Sequence, residues 1–201
     1  MAWQTEFPKI TPHDLDRLRQ LIGVELIVRE PFNRYASPDT IRHFSHGIGD
    51  DNPLFTSEEY GKSSSWGCMV APPTFLFSCF GRGAPQGLRG IHSMWGGASF
   101  EMYETVKEGT CILGTVALSA LKPKESKFAS KTIFQEHTYN FSTDKDHKLA
   151  KVREWHLRTE RDTARKRGKY ARLEPAHYTS EEMHRIYADC EKEEIRGPAK
   201  R

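Results

Sequence analysis

The chain has 201 residues, 28% of them charged and 37% hydrophobic, with a net charge of +3. That is enough for one substantial domain with a real core, plus a short appendage. Mean hydropathy is −0.68, and no stretch approaches the ~20 apolar residues of a membrane span, which excludes a helical membrane protein. The opening Met1–Glu6 lacks a basic segment followed by an apolar one, so secretion is not expected. Cys68, Cys79, Cys111 and Cys190 show no CxxC spacing. They suggest neither a zinc site nor a disulfide framework, and reduced thiols in a cytoplasmic protein are expected.

The charge is unevenly spread. Residues 1–142 carry 14 Lys/Arg against 15 Asp/Glu, and residues 143–201 carry 16 against 12. Within that tail, Arg158–Arg172 holds seven basic residues and Glu174–Glu194 seven acidic ones. A basic block followed by an acidic block reads as solvated, mutually neutralising surface. The basic block could also attract the phosphates of a nucleotide-bearing thioester, but nucleic acid is not expected without aromatic interleaving.

In chain order, Thr11-Pro12-His13-Asp14 opens a helix with Leu15, Leu18, Leu21 and Ile22 at helical spacing, stopped by Gly23. Val24–Val28 reads as a strand. Ser37-Pro38-Asp39 caps a second helix with Ile41, Phe44 and Ile48 on one face, leading into the turn Gly49-Asp50-Asp51-Asn52-Pro53. Ser57–Lys62 is a further helical turn. Met69–Phe80 is apolar all round, and Pro72-Pro73 near its start fits a helix first turn, so a buried central helix is expected here. Segments 91–103, 110–120, 128–141 and 148–159 alternate like strands. Glu108-Gly109, Lys122-Pro123-Lys124 and Thr143–Asp146 separate them as turns. A last helix starts at Thr179 or Ser180 and runs to about Ile195. Helices followed by a run of strands define an α+β fold, one helix packed on an antiparallel sheet. The domain is expected over 1–172, and a polar connector with the C-terminal helix over 173–201.

The turn after the second helix carries the chemical signal. Gly-Asp-x-Asn-Pro fixes a carboxylate and an amide at a helix end, the kind of rigid acid/base group that adding or removing water beside a thioester requires. By itself it also reads as an ordinary Asx-rich turn. With its flanks, Ile41-Arg42-His43-Phe44 and Val70–Leu76, it resembles the N-terminal domain of MaoC-like dehydratases, the type I fatty-acid-synthase-like dehydratase domain. Trp95-Gly96-Gly97, Lys107–Thr110 and Arg158–Asp162 with Gly168-Lys169-Tyr170 extend the likeness, and Tyr178–Gly197 looks like the connector between two such domains.

The resemblance implies a hotdog fold, an antiparallel sheet wrapped around a long central helix, with a C-terminal helical extension. It also implies a hydratase or dehydratase acting on an acyl-CoA or acyl-carrier-protein thioester, with no cofactor and no metal. The family motif is Gly-Asp-x-Asn-Pro-x-His. Asp50 and Asn52 match it, but Phe55 stands at the His position and cannot transfer a proton. Where the family opens its central helix with His-Gly, whose backbone N–H polarises the thioester carbonyl, this chain has Pro72-Pro73. Pro73 at the Gly position has no N–H to give.

The reading that follows is a subunit of an (R)-specific enoyl-CoA hydratase or 3-hydroxyacyl thioester dehydratase. This chain shapes the acyl pocket with Ala71, Pro72, Thr74, Phe75, Trp95, Gly96 and Gly97. A second MaoC-like chain carrying Gly-Asp-x-Asn-Pro-x-His supplies catalysis in a heterodimer or heterotetramer. The alternatives are a non-catalytic acyl-thioester-binding hotdog protein and a self-sufficient hydratase pairing Asp50 with His43 or His46. His92, ahead of the Trp95 strand, reads as structural or as pocket-facing. The final helix, with Met183, Ile186, Tyr187 and Cys190 on one face, docks on the partner or folds back on its own domain.

Overall fold

The computed structural model describes residues 7–126, 130–161 and 178–194. They belong to two compact units, Met1–Arg167 and Gly168–Arg201. The boundary expected after Arg172, and all of the basic block beyond Arg161, lie outside the described residues. No helix among the described residues is long and apolar enough to cross a membrane.

The first helix, α1 (Pro12–Arg19), begins where expected. Thr11 and Asp14 form a capping box, proline occupies the first turn, and Leu15 and Leu18 are buried. It ends before Leu21 and Ile22, which are 39% and 42% exposed. Gly23, at φ +81°, turns the chain into β1 (Glu25–Ile27). Then come α2 (Pro38–Gly47), α3 (Pro53–Thr56) and α4 (Glu58–Ser63).

Strands β2 (His92–Met102), β3 (Ile112–Ser126), β4 (Ser130–Thr143) and β5 (Lys148–Thr159) join β1 in one antiparallel sheet, ordered β1-β3-β4-β5-β2. Period-two alternation decides which face is covered. Along β4, Ile133, Gln135, His137, Tyr139 and Phe141 are buried, while Phe134, Glu136 and Thr138 are only partly so. Thr143 closes the β4–β5 turn as expected. Its Oγ1 accepts from the N–H groups of Lys145 and His147, and Asp146 takes φ +64°.

Two further elements differ from expectation. Lys122-Pro123-Lys124 is no turn: the three residues pair with Phe134, Ile133 and Thr132 inside β3. The β1–β3 pairing covers only Thr115–Ala117, so at Pro123 the strand has a described neighbour on one side only. That is the edge position where a missing N–H is tolerated.

The second difference is the central helix, which is a 3₁₀ helix over Pro73–Cys79. Its length is set from both ends. The residue before a proline avoids the helical region, and Pro72 is extended at ψ 148°. Just upstream, Ala71 N–H donates to the Val106 carbonyl at 2.8 Å. Downstream, Arg29 and Arg82 exchange two 2.6 Å backbone hydrogen bonds. A continuing α-helix would carry Arg82 away from them. Gly81 passes so close that a Cβ there would sit 2.3 Å from the Arg29 carbonyl oxygen.

The covered face carries two apolar clusters. One gathers Ile41, Met69, Phe75, Leu76, Val116, Tyr139, Phe141 and Val152 around the 3₁₀ helix. The other gathers Ile10, Leu15, Leu18, Leu88, Ile91, Leu118, Leu121 and Ile133 around α1. Along β4, Gln135 and His137 fall between them.

In the second unit lies α5 (Ser180–Glu194). Thr179 Oγ1 accepts from Glu182 N–H at 3.2 Å, and Glu182 accepts from Thr179 N–H at 2.8 Å, a capping box. Ile186 and Tyr187 are exposed, and the Cys190 side chain lies outside the described residues.

Candidate functional site

The Gly-Asp-x-Asn-Pro stretch is built from two helix caps placed back to back. Gly49, at φ +73°, ends α2. Its N–H donates to the His46 carbonyl at 3.1 Å, and Asp50 N–H to the Ser45 carbonyl at 2.9 Å. That pair of bonds is a Schellman ending, which needs a residue at ease with positive φ. Asp50 Oδ1 then accepts from Asn52 N–H at 3.1 Å, and Asn52 Oδ1 accepts from Leu54 N–H at 3.1 Å, capping α3 with Pro53 in its first turn. Asp50 and Asn52 are both half-buried. Their placement follows from backbone capping alone.

Three positions singled out in the sequence do meet. Phe55, Ala71 and Pro73 line one cavity of about 360 Å³, together with Trp66, Met102 and Tyr103. The two positions at which the chain departs from the hydratase motif thus face the same space. Its wall offers a phenyl ring and a proline where the motif calls for an imidazole and a backbone donor. Lys107 Nζ lies 5.7 Å from the centre of the Trp66 ring, a cation–π contact beside this cavity.

The other candidates lie elsewhere. Pro72 is buried and Thr74 exposed. Phe75 is fully buried, edge-on to Phe44 with ring centroids 5.6 Å apart. Trp95 is 59% exposed on β2 and meets Phe77 edge-on at 5.9 Å. Gly96 and Gly97 sit at a register shift against β5, where added Cβ atoms would fall 2.7 and 2.6 Å from the Trp155 ring. These glycines make room for an aromatic side chain. His43 and His46 are exposed on α2, and His92 is half-buried opposite Thr159. A larger cavity of about 700 Å³ opens between β1 and the neighbouring ends of β3, β4 and β5. None of the sequence-derived candidates lines it, but Tyr103 lines both cavities.

Sequence reasoning missed Trp66, Met102 and Tyr103, which reach the cavity from a loop and from the end of β2. It also missed a buried polar group on β4 and β5: Gln135, His137, Tyr139, Glu154, His156 and Arg158. The alternation of Ile133, Tyr139 and Phe141 places Gln135 and His137 on the covered face, a signal available in the sequence. Burial pushes the His137 pKa down to about 4, raises that of Glu154 and lowers that of His156. Arg158, counted in the sequence with a solvated basic block, is buried. Its Nη1 donates to Gln135 Oε1 at 2.9 Å and its Nη2 to the Leu88 carbonyl at 3.0 Å. These charge-assisted bonds offset its desolvation.

A five-stranded antiparallel sheet wrapped about a buried helical segment is the hotdog architecture. The structure is similar to a chain of the ChsH1–ChsH2 complex from Mycobacterium tuberculosis, with TM-score 0.57 and 15% identity, covering 75% of this chain and 93% of that one. It is also similar to a MaoC-like dehydratase from Rhodospirillum rubrum, with TM-score 0.52 and 15% identity, covering 72% and 97%. A third is the HadBC (3R-hydroxyacyl-ACP dehydratase) complex from M. tuberculosis, with TM-score 0.53 and 15% identity, covering 68% and 96%. The protein is therefore an α+β hotdog protein with MaoC-like dehydratases among its structural neighbours.

Residues 20–151 match the model of the FAS1-like dehydratase domain region, and the chain belongs to that family. Among curated proteins it is 29% identical over 91 residues to a UPF0336 protein of Streptomyces avermitilis and 31% identical over 91 residues to one of Streptomyces coelicolor. Each match covers 42% of this chain and 61% of the relative's length.

Proposed function

We propose that this chain is the non-catalytic hotdog subunit of an (R)-specific enoyl-CoA hydratase or 3-hydroxyacyl thioester dehydratase. It contributes walls of the acyl pocket. A partner MaoC-like chain carrying Gly-Asp-x-Asn-Pro-x-His contributes the acid/base pair. The observation that carries this reading is the cavity shared by Phe55, Ala71 and Pro73. It is lined largely by apolar groups, as suits an acyl chain, and it lacks both a proton-transfer group at Phe55 and an amide donor at Pro73. In the partner, Asp would hold the water and His would move its proton. The substrate is an acyl thioester on CoA or a carrier protein, and no cofactor is called for.

Two further observations support a partner. The similar chains in the ChsH1–ChsH2 and HadBC structures come from complexes. In this chain β2 is a sheet-edge strand with Trp95, Met102 and Tyr103 exposed on or just beyond it. An unpaired edge of that kind is a template for pairing with another chain. The connector helix α5, with Ile186 and Tyr187 exposed, would dock along the same partner.

The test is a hydration assay with a trans-2-enoyl-CoA series, run on the purified chain, on a partner MaoC-like chain, and on the co-purified pair. The expected result is turnover by the pair and none by this chain alone. Turnover by this chain alone at ordinary enzyme rates would overturn the subunit reading. Acyl-CoA binding without turnover in any combination would favour a binding protein instead. Truncation after Arg172, followed by light scattering, tests α5: a lighter assembly with an intact domain is expected, and an unchanged mass would remove the docking role.

A further inference from the structure

In the seam between the two apolar clusters, His137 on β4 stands opposite Glu154 on β5, with His156 two residues further along the same face. One donor atom from each lies within 4.8 Å of the others, and His137 Nδ1 is 4.0 Å from Glu154 Oε1. His137 is fully buried. Its Nε2 is 3.4 Å from the Pro85 carbonyl, an acceptor that calls for the proton on Nε2 and leaves a lone pair on Nδ1. That Nδ1 has no hydrogen-bond partner, and neither has the buried Nδ1 of His156. Two buried imidazole nitrogens without a partner are expensive unless something binds them.

We propose that His137, Glu154 and His156 form a binding site for one divalent transition-metal ion of the zinc class. Two imidazoles and one carboxylate are a recurrent donor set for such ions, and three protein ligands leave a coordination position open. The outer contacts are those a metal site uses to orient its ligands. The Pro85 carbonyl holds His137, and Tyr139 OH donates to Glu154 Oε1 at 3.1 Å. With metal–nitrogen bonds of ~2.0–2.1 Å, tetrahedral donors stand about 3.3–3.4 Å apart. Side-chain rotations closing the donors by up to about 1.5 Å would complete the site.

Arg158 lies two residues beyond His156 on this face of β5. It is tied to Gln135 and to the Gln86 and Leu88 carbonyls. The nitrogen donors disfavour Ca²⁺ and Mg²⁺, which need oxygen-rich shells. Half-buried His156 is the most accessible ligand.

The experiment titrates metal-stripped full-length chain with Co²⁺, following its visible absorption, and with Zn²⁺ by calorimetry. Saturation near one ion per chain is expected, with Co²⁺ displaced by Zn²⁺ and not by millimolar Ca²⁺ or Mg²⁺. Glu154→Gln and His156→Gln should each weaken binding at least tenfold. Tyr139→Phe should weaken it about tenfold, as loss of an outer contact does. His147→Gln, at an exposed histidine outside the seam, should leave it unchanged. Circular dichroism checks that each variant is folded, and His156→Gln is the decisive one because its site is only half-buried. Absence of saturable binding, equal affinity in folded Glu154→Gln and His156→Gln, or displacement by Ca²⁺ overturns the proposal. The readout does not depend on hydratase activity, so it stands or falls apart from the proposed function.

Discussion

Phe44 on α2 and Phe75 in the 3₁₀ helix meet edge-on, with ring centroids 5.6 Å apart and ring planes at 76°. This contact ties the helix that ends in Gly49-Asp50 to the segment that carries Pro73. It therefore fixes the motif turn relative to the apolar cavity. Phe75 is fully exposure-free and belongs to the larger apolar cluster. Phe75→Ala is expected to destabilise the domain by about 3–5 kcal/mol, and Phe75→Leu by less, since less volume is lost. Urea unfolding measures both, and equal small effects would mean the segment is not part of the core.

The cavity geometry predicts the outcome of repairing the motif one residue at a time. Phe55→His restores an imidazole but leaves Pro73 without an N–H. The missing oxyanion donor alone is worth on the order of 10²–10³ in rate. Phe55→His assayed alone should therefore hydrate enoyl-CoA at least about 10²–10³-fold more slowly than a chain carrying the full motif. Turnover by the single variant at the rate of such a chain would show that Pro73 is no obstacle.

Gly49 and Gly96 should fail on substitution for different reasons. Gly49 sits at φ +73° with open space around it, so Gly49→Ala is expected to cost about 1–2 kcal/mol, from backbone conformation alone. At Gly96 the backbone is unremarkable, but a Cβ would lie 2.7 Å from the Trp155 ring. Gly96→Ala should destabilise the domain in the native background and much less beside Trp155→Ala. A double-mutant cycle reads this coupling, and additive effects would contradict the steric account.

The cysteines should separate by reactivity. Burial pushes the Cys79 thiol pKa up to about 12, whereas Cys68 is only half-buried. At pH 8 only about one part in 10⁴ of Cys79 is thiolate, the reactive form. Iodoacetamide with peptide mapping should modify Cys68 in the folded protein and Cys79 only in denaturant. Modification of both at similar rates would mean that the 3₁₀ segment opens readily.

Much of this molecule was legible as local chemistry. Thr11, Ser37 and Ser57 each cap a helix through a side-chain oxygen, as their positions before Pro12, Pro38 and Glu58 suggest. Gly49-Asp50 and Asn52-Pro53 are helix punctuation whose bonds run only a few residues along the chain. The alternation read over 128–141 and 148–159 marks β4 and β5, observed at Ser130–Thr143 and Lys148–Thr159, because each strand buries one face. Phe55 and Pro73 could be singled out from the motif without any coordinates.

What local chemistry could not supply are the pairings across long stretches of sequence. Pro123 looks like a turn residue until β3 proves to have a partner on one side only, and the run Met69–Phe80 looks like a long helix until the bridge between Arg29 and Arg82 cuts it short. That Phe55 and Pro73 share a cavity with Tyr103 depends on how the loop after β2 pairs with Val70 and Ala71. The His137–Glu154 apposition depends on the β4–β5 register, where a slip of one residue would turn every side chain to the other face. The sequence by itself determined the caps, the alternation of β4 and β5 and the departure from the hydratase motif, because those rest on bonds and periodicities within one short segment. Only the tertiary structure decided which of those residues face a common space, because that is fixed by sheet register and by packing between segments far apart in the chain.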